Sequence, residues 1–215
     1  MTVTTSLSTL SPFDQVADDL CQNGFGIYEA NEGLAAFLNE DLMQSLYDDL
    51  QQRYQDSDMY KARVGEQKQT RGDIRGDDIC WLRGESEAQR HFLTLATDWR
   101  QAFSRRLFLA LTEFEFHYAR YPQGKGYARH YDNFQGKSPR RLTFILYLNP
   151  DWQPGDGGEL VIYDANNQPI TQVAPRWGTV VFFASDEFPH EVLPAVKPRC
   201  SLTGWFRSGS VFPLT

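Results

Sequence analysis

His130-Tyr-Asp132 is the first place in this chain where residue types and spacing could do chemistry. A histidine and an aspartate two positions apart on a strand project from the same face, so an imidazole and a carboxylate can reach one ion. The chain has four histidines, His91, His117, His130 and His190, and His190 is the natural third donor. Two imidazoles and one carboxylate cover one face of a six-coordinate Fe(II) and leave positions open for a co-substrate and O2. The plainer alternative is a half-buried histidine beside a surface aspartate, and a three-residue motif does not separate the two. Arg199 adds context, nine residues after His190 within Lys197-Pro-Arg199-Cys-Ser-Leu-Thr-Gly-Trp205. A strand, a Pro-containing turn and a returning strand would carry its guanidinium back toward the metal, where it can grip a carboxylate through two parallel hydrogen bonds. 2-Oxoglutarate offers that carboxylate at one end and a metal-chelating keto acid at the other. Standing alone, Arg199 reads equally as a surface arginine on an edge strand. His91 falls in an amphipathic helix pattern and His117 on the outward side of a strand, so neither is assigned to the site.

The elements that must position these groups fall into two stretches. Phe13 to Cys21 reads as a short helix with Phe13, Val16, Ala17 and Leu20 on one face, and Gly24-Phe-Gly-Ile-Tyr28 breaks it and begins a strand. Leu34, Leu38, Leu42, Leu46 and Leu50 recur every four residues, which predicts an amphipathic helix, or two joined near Asn39. Glu87 to Thr112 repeats the pattern through Phe92, Leu95, Ala96, Trp99, Phe103, Leu107 and Leu111. Between them, Tyr60 to Gly84 holds two strand-like pieces around the charged run Arg71-Gly-Asp-Ile-Arg-Gly-Asp-Asp78. From Glu113 onward the pattern is of short strands: Phe114–Tyr118, Tyr127–Tyr131, Leu142–Leu148, Glu159–Tyr163, Thr179–Phe183, Glu191–Leu193 and Ser201–Phe206, separated by runs rich in Gly, Pro, Asp and Asn. Helices followed by many short strands predict an α+β protein, a jelly-roll double sheet with helices packed outside, mostly N-terminal. Residues 1–112 would be the helical support, with a lid loop at about 60–84, and residues 113–215 the catalytic core, in a single compact domain overall.

Composition narrows the partners. Of 215 residues, 41% are hydrophobic and 23% charged, the balance of an ordinary globular protein, and the net charge is −7. So acidic a chain lacks the broad basic footprint that phosphate backbones require, which argues against nucleic acid. Cys21, Cys80 and Cys200 are odd in number and widely spaced, neither a disulfide framework nor a zinc pattern, and fit a reducing compartment. The N-terminus has no signal-peptide pattern and no stretch approaches the roughly 20 apolar residues of a membrane span. The expectation is a cytoplasmic protein with no membrane partner.

Taken in order, several segments resemble the 2-oxoglutarate oxygenases, and among them the prolyl 4-hydroxylases that act on hypoxia-inducible factor and their bacterial relatives. The matching text is Asp73-Ile-Arg-Gly-Asp-Asp-Ile-Cys-Trp81, Tyr121-Pro-Gln-Gly-Lys-Gly-Tyr-Ala-Arg-His130-Tyr-Asp132-Asn, Thr143-Phe-Ile-Leu-Tyr147-Leu-Asn-Pro-Asp-Trp152, Gly157-Gly158-Glu-Leu160, Phe182-Phe-Ala-Ser-Asp186, Pro189-His190-Glu-Val192, and Arg199 through Trp205. The resemblance covers roughly residues 60 to 206 and implies a double-stranded β-helix fold. It implies His130, Asp132 and His190 as iron ligands and Arg199 as the partner of the 2-oxoglutarate carboxylate. Tyr147 would share that carboxylate, with Thr203 close by and Tyr121 lining the same pocket. Leu160 and Trp205 would be apolar walls, with Phe182 and Phe183 also near the reacting centre. The Arg71–Trp81 region, including Arg75, Asp77 and Trp81, would be a mobile loop that folds over a bound peptide. The Tyr121 to His130 spacing is one residue shorter than in the human members, and the chain ends ten residues after Trp205, short of their C-terminal helix.

The activity so implied is an Fe(II)- and 2-oxoglutarate-dependent dioxygenase of the procollagen-proline/peptidyl-proline 4-dioxygenase type, using O2 and with ascorbate as a family expectation. Collagen-type members carry Lys where this chain has Arg199, which places the likeness on the factor-modifying branch. The partner implied is a protein with a target proline, elongation factor Tu if the chain is bacterial. Three alternatives stand beside it: the same chemistry on a small molecule or another side chain, a nucleic-acid demethylase, and a non-catalytic metal-binding sensor or interaction module.

Overall fold

The computed structural model describes residues 11–32, 35, 36, 38–62 and 74–209. Three helices precede most of the strands. α1 (Pro12–Asn23) opens on Ser11, whose hydroxyl accepts from the Phe13 amide, has Pro12 in its first turn, and closes on Gly24 at φ 75°. α2 (Glu40–Gln55) opens on Asn39, whose side chain accepts from the Leu42 amide. The leucine periodicity is therefore interrupted at Asn39, where α2 begins. Leu34 and Phe37 lie outside the described residues.

α3 (Glu87–Arg106) is capped by Ser86. It stops six residues before the Thr112 that periodicity suggested, because Phe108 takes a left-handed turn at φ 53° and Leu111 already pairs as strand. Buried Gln89 fastens its start: the side-chain carbonyl accepts from the amides of Arg83, Gly84 and Glu85, and the amide nitrogen donates to Asp49.

Eleven described strands form two antiparallel sheets. The seven-stranded sheet runs β1 (Phe25–Tyr28), β9 (Val180–Ala184), β6 (Arg140–Tyr147), β11 (Arg199–Ser208), β4 (Leu111–Tyr121), β3 (Asp78–Trp81) and β2 (Tyr60–Lys61). The four-stranded sheet runs β5 (Tyr127–His130), β10 (His190–Val192), β7 (Leu160–Tyr163) and β8 (Pro169–Val173). This is the expected jelly roll with helices packed outside. β8 went unforeseen: it is a mostly exposed edge strand that begins on proline, so no buried apolar face marks it.

Alternation along the central strands feeds two cores. On β6, Leu142, Phe144 and Leu146 face the helices and join Phe92, Trp99, Phe103, Phe116, Phe182 and Phe206. Thr143, Ile145 and Tyr147 face the other way, where Ile145 and Tyr147 join Leu160, Ile162, Val181, Phe183 and Val192 between the sheets. Both faces of the large sheet are thus covered, and the inter-sheet side opens into the central pocket.

Candidate active site

The two sheets contribute different parts of the pocket. From the small sheet, His130 ends β5 and His190 begins β10, and the strands pair them directly, His190 opposite His130, with ring centroids 4.3 Å apart. Asp132 lies just past β5 in a turn rather than on the strand. Buried Asn133 builds that turn: its amide donates to the Ser185 carbonyl, its side-chain nitrogen to the Arg140 carbonyl, and its side-chain oxygen accepts from the Ser138 amide.

Asp132 stands between the imidazoles. Its Oδ1 is 3.8 Å from His130 Nε2 and its Oδ2 3.7 Å from His190 Nε2, and the three donor groups lie within 4.8 Å of one another. Donor bonds of about 2.1 Å set donors ~3 to 4 Å apart, so one cation can bridge the set after a small contraction. Each imidazole turns its Nδ1 to a carbonyl two residues back, Ala128 at 2.9 Å and Phe188 at 3.1 Å. A carbonyl only accepts, so Nδ1 carries the hydrogen and the Nε2 lone pair is left facing Asp132. Burial, reinforced by His190, pushes His130 well below its ordinary range and keeps it neutral. Burial opposes the charge on Asp132, but His190, His130 and Arg140 hold it down at about 2. The Thr143 hydroxyl donates to Asp132 Oδ2 at 2.8 Å and touches the Ser185 hydroxyl at 2.9 Å. Two imidazoles whose tautomers are fixed by backbone carbonyls, with one carboxylate, make a donor set that suits Fe(II).

From the large sheet comes a cationic anchor. Arg199 begins β11, is buried, and faces Tyr121 across the strand pair. Its Nε donates to the Gly158 carbonyl at 2.9 Å and a terminal nitrogen reaches Ser201 Oγ at 3.4 Å. Among the described residues no carboxylate pairs with it. A buried guanidinium without a counter-ion is costly, and the pocket is where an acidic ligand would meet it. The Tyr147 hydroxyl beside it is buried and, by hydrogen-bond geometry, has no partner among the described residues. Burial raises Tyr147 to about 12 against the pull of Arg199, so it stays a neutral donor. A guanidinium without a counter-ion and a hydroxyl beside it fit a carboxylate ligand.

Of the other expected residues, Tyr121, Leu160, Thr203 and Trp205 line this pocket, as do Arg75 and Asp77. Arg75 forms a bidentate pair with fully buried Asp77, at 2.7 and 2.8 Å, and its guanidinium lies 4.9 Å from the Tyr127 ring. The described part of the lid region is docked on β5, with the Ala128 amide donating to the Ile74 carbonyl and the Gly76 amide to the Gly126 carbonyl. Arg71 and the rest of residues 63–73 lie outside the described residues. Trp81 does not line the pocket. It sits on β3, where its ring packs on His117, 4.9 Å away. Phe182 is a correction: it points at the helices, against Phe103 and Phe144. Phe183 backs His190 at 4.7 Å instead of lining the pocket.

His117 is a second correction. It is 1% exposed and lines the pocket, stacked on Trp205, because the face of β4 read as outward is covered by the small sheet. Arg140, Thr143, Tyr127 and Ser201 were also missed as lining residues. Thr143 and Ser201 had a signal, since polar residues in otherwise apolar central strands must meet something polar.

Residues 116–207 match the family model described as the 2OG-Fe(II) oxygenase superfamily. A prolyl-4-hydroxylase of Pseudomonas putida is 38% identical, with a TM-score of 0.80 over 91% of this chain and 98% of that one. A Trichoplax adhaerens prolyl hydroxylase, solved with a hypoxia inducible factor peptide fragment, is 28% identical with a TM-score of 0.80 over 91% and 89% of the two chains. Egl nine homolog 1 of Mus musculus is 30% identical over 196 residues, 86% of this chain and 48% of that protein. The chain spans about half the length of the curated relatives it matches.

Proposed function

The chain belongs to the 2OG-Fe(II) oxygenase superfamily, and we propose that it hydroxylates C4 of a prolyl residue in a protein substrate. In this reading His130, Asp132 and His190 hold Fe(II), and Arg199, with Tyr147 and Thr203, holds the far carboxylate of 2-oxoglutarate. When bound, the iron supplies oxidative decarboxylation of 2-oxoglutarate to succinate and CO2, coupled to hydroxylation of a C–H bond. The protein binds, orients and keeps the pocket dry. Leu160, Ile145 and Trp205 exclude water, Thr143 aims the Asp132 carboxylate, and Arg75 and Asp77 stand at the wall where a peptide would enter.

The observation that carries the metal and co-substrate reading is one pocket holding both the His-Asp-His set and a buried guanidinium with no acidic partner among the described residues. The prolyl substrate is supported by the likeness to solved proteins that are themselves prolyl hydroxylases. The finer activity we assign is peptidyl-proline rather than procollagen hydroxylation, supported by arginine rather than lysine at position 199. Elongation factor Tu, the partner implied by the likeness to bacterial members, is the first protein to test. A reducing, cytoplasmic setting belongs to the same proposal, supported by three free thiols.

Succinate release from 2-oxoglutarate with Fe(II), with and without proline-containing peptides or elongation factor Tu, tests this, together with mass spectrometry of the peptide. The expected result is peptide-stimulated succinate and a +16 Da prolyl product, both abolished in Asp132→Ala and Arg199→Ala. Succinate formation by Asp132→Ala at the parent rate would sink the ligand assignment. Turnover stimulated only by a small molecule would sink the protein substrate.

A further inference from the structure

His117 belongs neither to the proposed metal ligands nor to the Arg199 anchor, yet its ring is held in one orientation from several sides. On β4 it pairs with Trp81 of β3 and Thr203 of β11. Its ring stacks on Trp205 at 5.5 Å and packs on Trp81 at 4.9 Å. Its Nε2 lies 3.4 Å from a terminal nitrogen of Arg75, and Arg75 is itself clamped by both oxygens of Asp77. A guanidinium offers only donors, so Nε2 must accept and the one hydrogen of the neutral ring sits on Nδ1. That Nδ1 is buried and has no partner among the described residues. An unmatched buried donor is rare unless a ligand or water completes it, and the space His117 borders is the central pocket.

The strand register says what would lie beside it. Along β11 the residues lining the pocket run Arg199, Ser201, Thr203, Trp205. Arg199 is at one end, and Trp205 at the other pairs with Thr143, which holds Asp132. Thr203, the cross-strand partner of His117, stands one step from the Thr143 row. His117 borders the pocket between the Arg199 end and the Thr143 end, so a 2-oxo acid spanning from Arg199 to the His-Asp-His set would lie in the space that His117 borders. We propose that His117 donates its Nδ1 hydrogen to an oxygen of the keto-acid end of bound 2-oxoglutarate, with Arg75 fixing the tautomer that makes the donor available. This rests on the co-substrate reading above.

Calorimetric titration of 2-oxoglutarate into Mn(II)-loaded protein tests it. His117→Leu keeps the bulk without the donor and should weaken binding about tenfold, the worth of one hydrogen bond to a charged acceptor. His117→Asn places an amide N–H near the Nδ1 position and should stay within about threefold of the parent. In unmutated Zn(II)-loaded protein, the His117 Nδ1 proton resonance should move downfield when 2-oxoglutarate is added, which needs no variant to fold. Affinity of His117→Leu within about twofold of the parent, or a resonance that stays put with ligand bound, overturns the proposal. Failure of 2-oxoglutarate to bind the unmutated protein overturns the co-substrate reading along with it.

Discussion

Thr143 and His117 show how much of this pocket depends on single polar atoms set in an apolar sheet. Thr143 donates to Asp132 and is itself linked to Ser185, so the carboxylate is aimed by groups that bind no metal. Removing such a supporting hydrogen bond commonly lowers metal affinity about tenfold or more. Thr143→Val, nearly the same shape, should show that loss in equilibrium dialysis against Mn(II) while its melting temperature holds. Unchanged affinity would mean the carboxylate is oriented by the Asn133 turn alone. His117 makes a stability prediction in the metal-free protein. Burial, then Arg75 and Arg140, hold its pKa well below the ordinary value of 6.5. The unfolded chain binds a proton there as pH falls through 6.5 and the folded chain does not, so stability is lost on acidification. One such histidine accounts for about 1.4 kcal/mol between pH 7.5 and 5.5. Urea unfolding at both pH values should show the parent losing about that much more than His117→Asn. Equal losses would mean that His117 accepts a proton in place. Its role was illegible in the sequence for a plain reason: Phe114, Phe116 and Tyr118 mark one buried face of β4, and nothing local reveals that the opposite face is covered too.

At the scale of elements, the strands that carry the site were readable because alternation and turn residues bound them. His130, Asp132, His190 and Arg199 were legible from the motif spacing and the resemblance around it, and the structure brings them to one pocket. What escaped was set by tertiary context: the Phe108 reversal that ends α3, the edge strand β8, and the turn that takes Asp132 off its strand. The turn before β7 shows the coupling between backbone and site most directly. Gly158 has φ 79°, and a Cβ there would lie 3.0 Å from the Ala195 Cβ and 3.3 Å from the Arg199 Cδ, while its carbonyl receives the Arg199 Nε. Gly158→Ala should therefore raise the KM for 2-oxoglutarate several-fold through displacement of Arg199, at a stability loss of about 1–2 kcal/mol for the strained φ. A stability loss with unchanged KM would disconnect the turn from the anchor. On the other face, Phe144 is fully buried among Phe92, Trp99, Phe116 and Phe182. Its truncation to alanine should cost about 3–5 kcal/mol in urea unfolding, as for other core aromatics.

For the molecule as a whole, the pocket is shared between sheets that carry different halves of the proposed chemistry. His130 and His190 come from β5 and β10 of the small sheet, while Arg199, Tyr147 and Thr203 come from β11 and β6 of the large one. A metal alone therefore ties β5, β10 and the Asp132 turn together, whereas a 2-oxo acid spanning from metal to Arg199 ties one sheet to the other. Ligands that bind only the folded chain stabilise it by mass action, about 2.7 kcal/mol at a hundred times the dissociation constant. For a chain of this size that is roughly 5–10 °C in melting temperature. Two separable increments follow in a thermal melt, one on adding Mn(II) and a second on adding 2-oxoglutarate. Arg199→Ala should keep the first and lose most of the second. Asp132→Ala should lose both, because the 2-oxo acid then has an anchor at one end only. An Arg199→Ala protein that keeps the full second increment would place the co-substrate elsewhere and detach the large sheet from the chemistry.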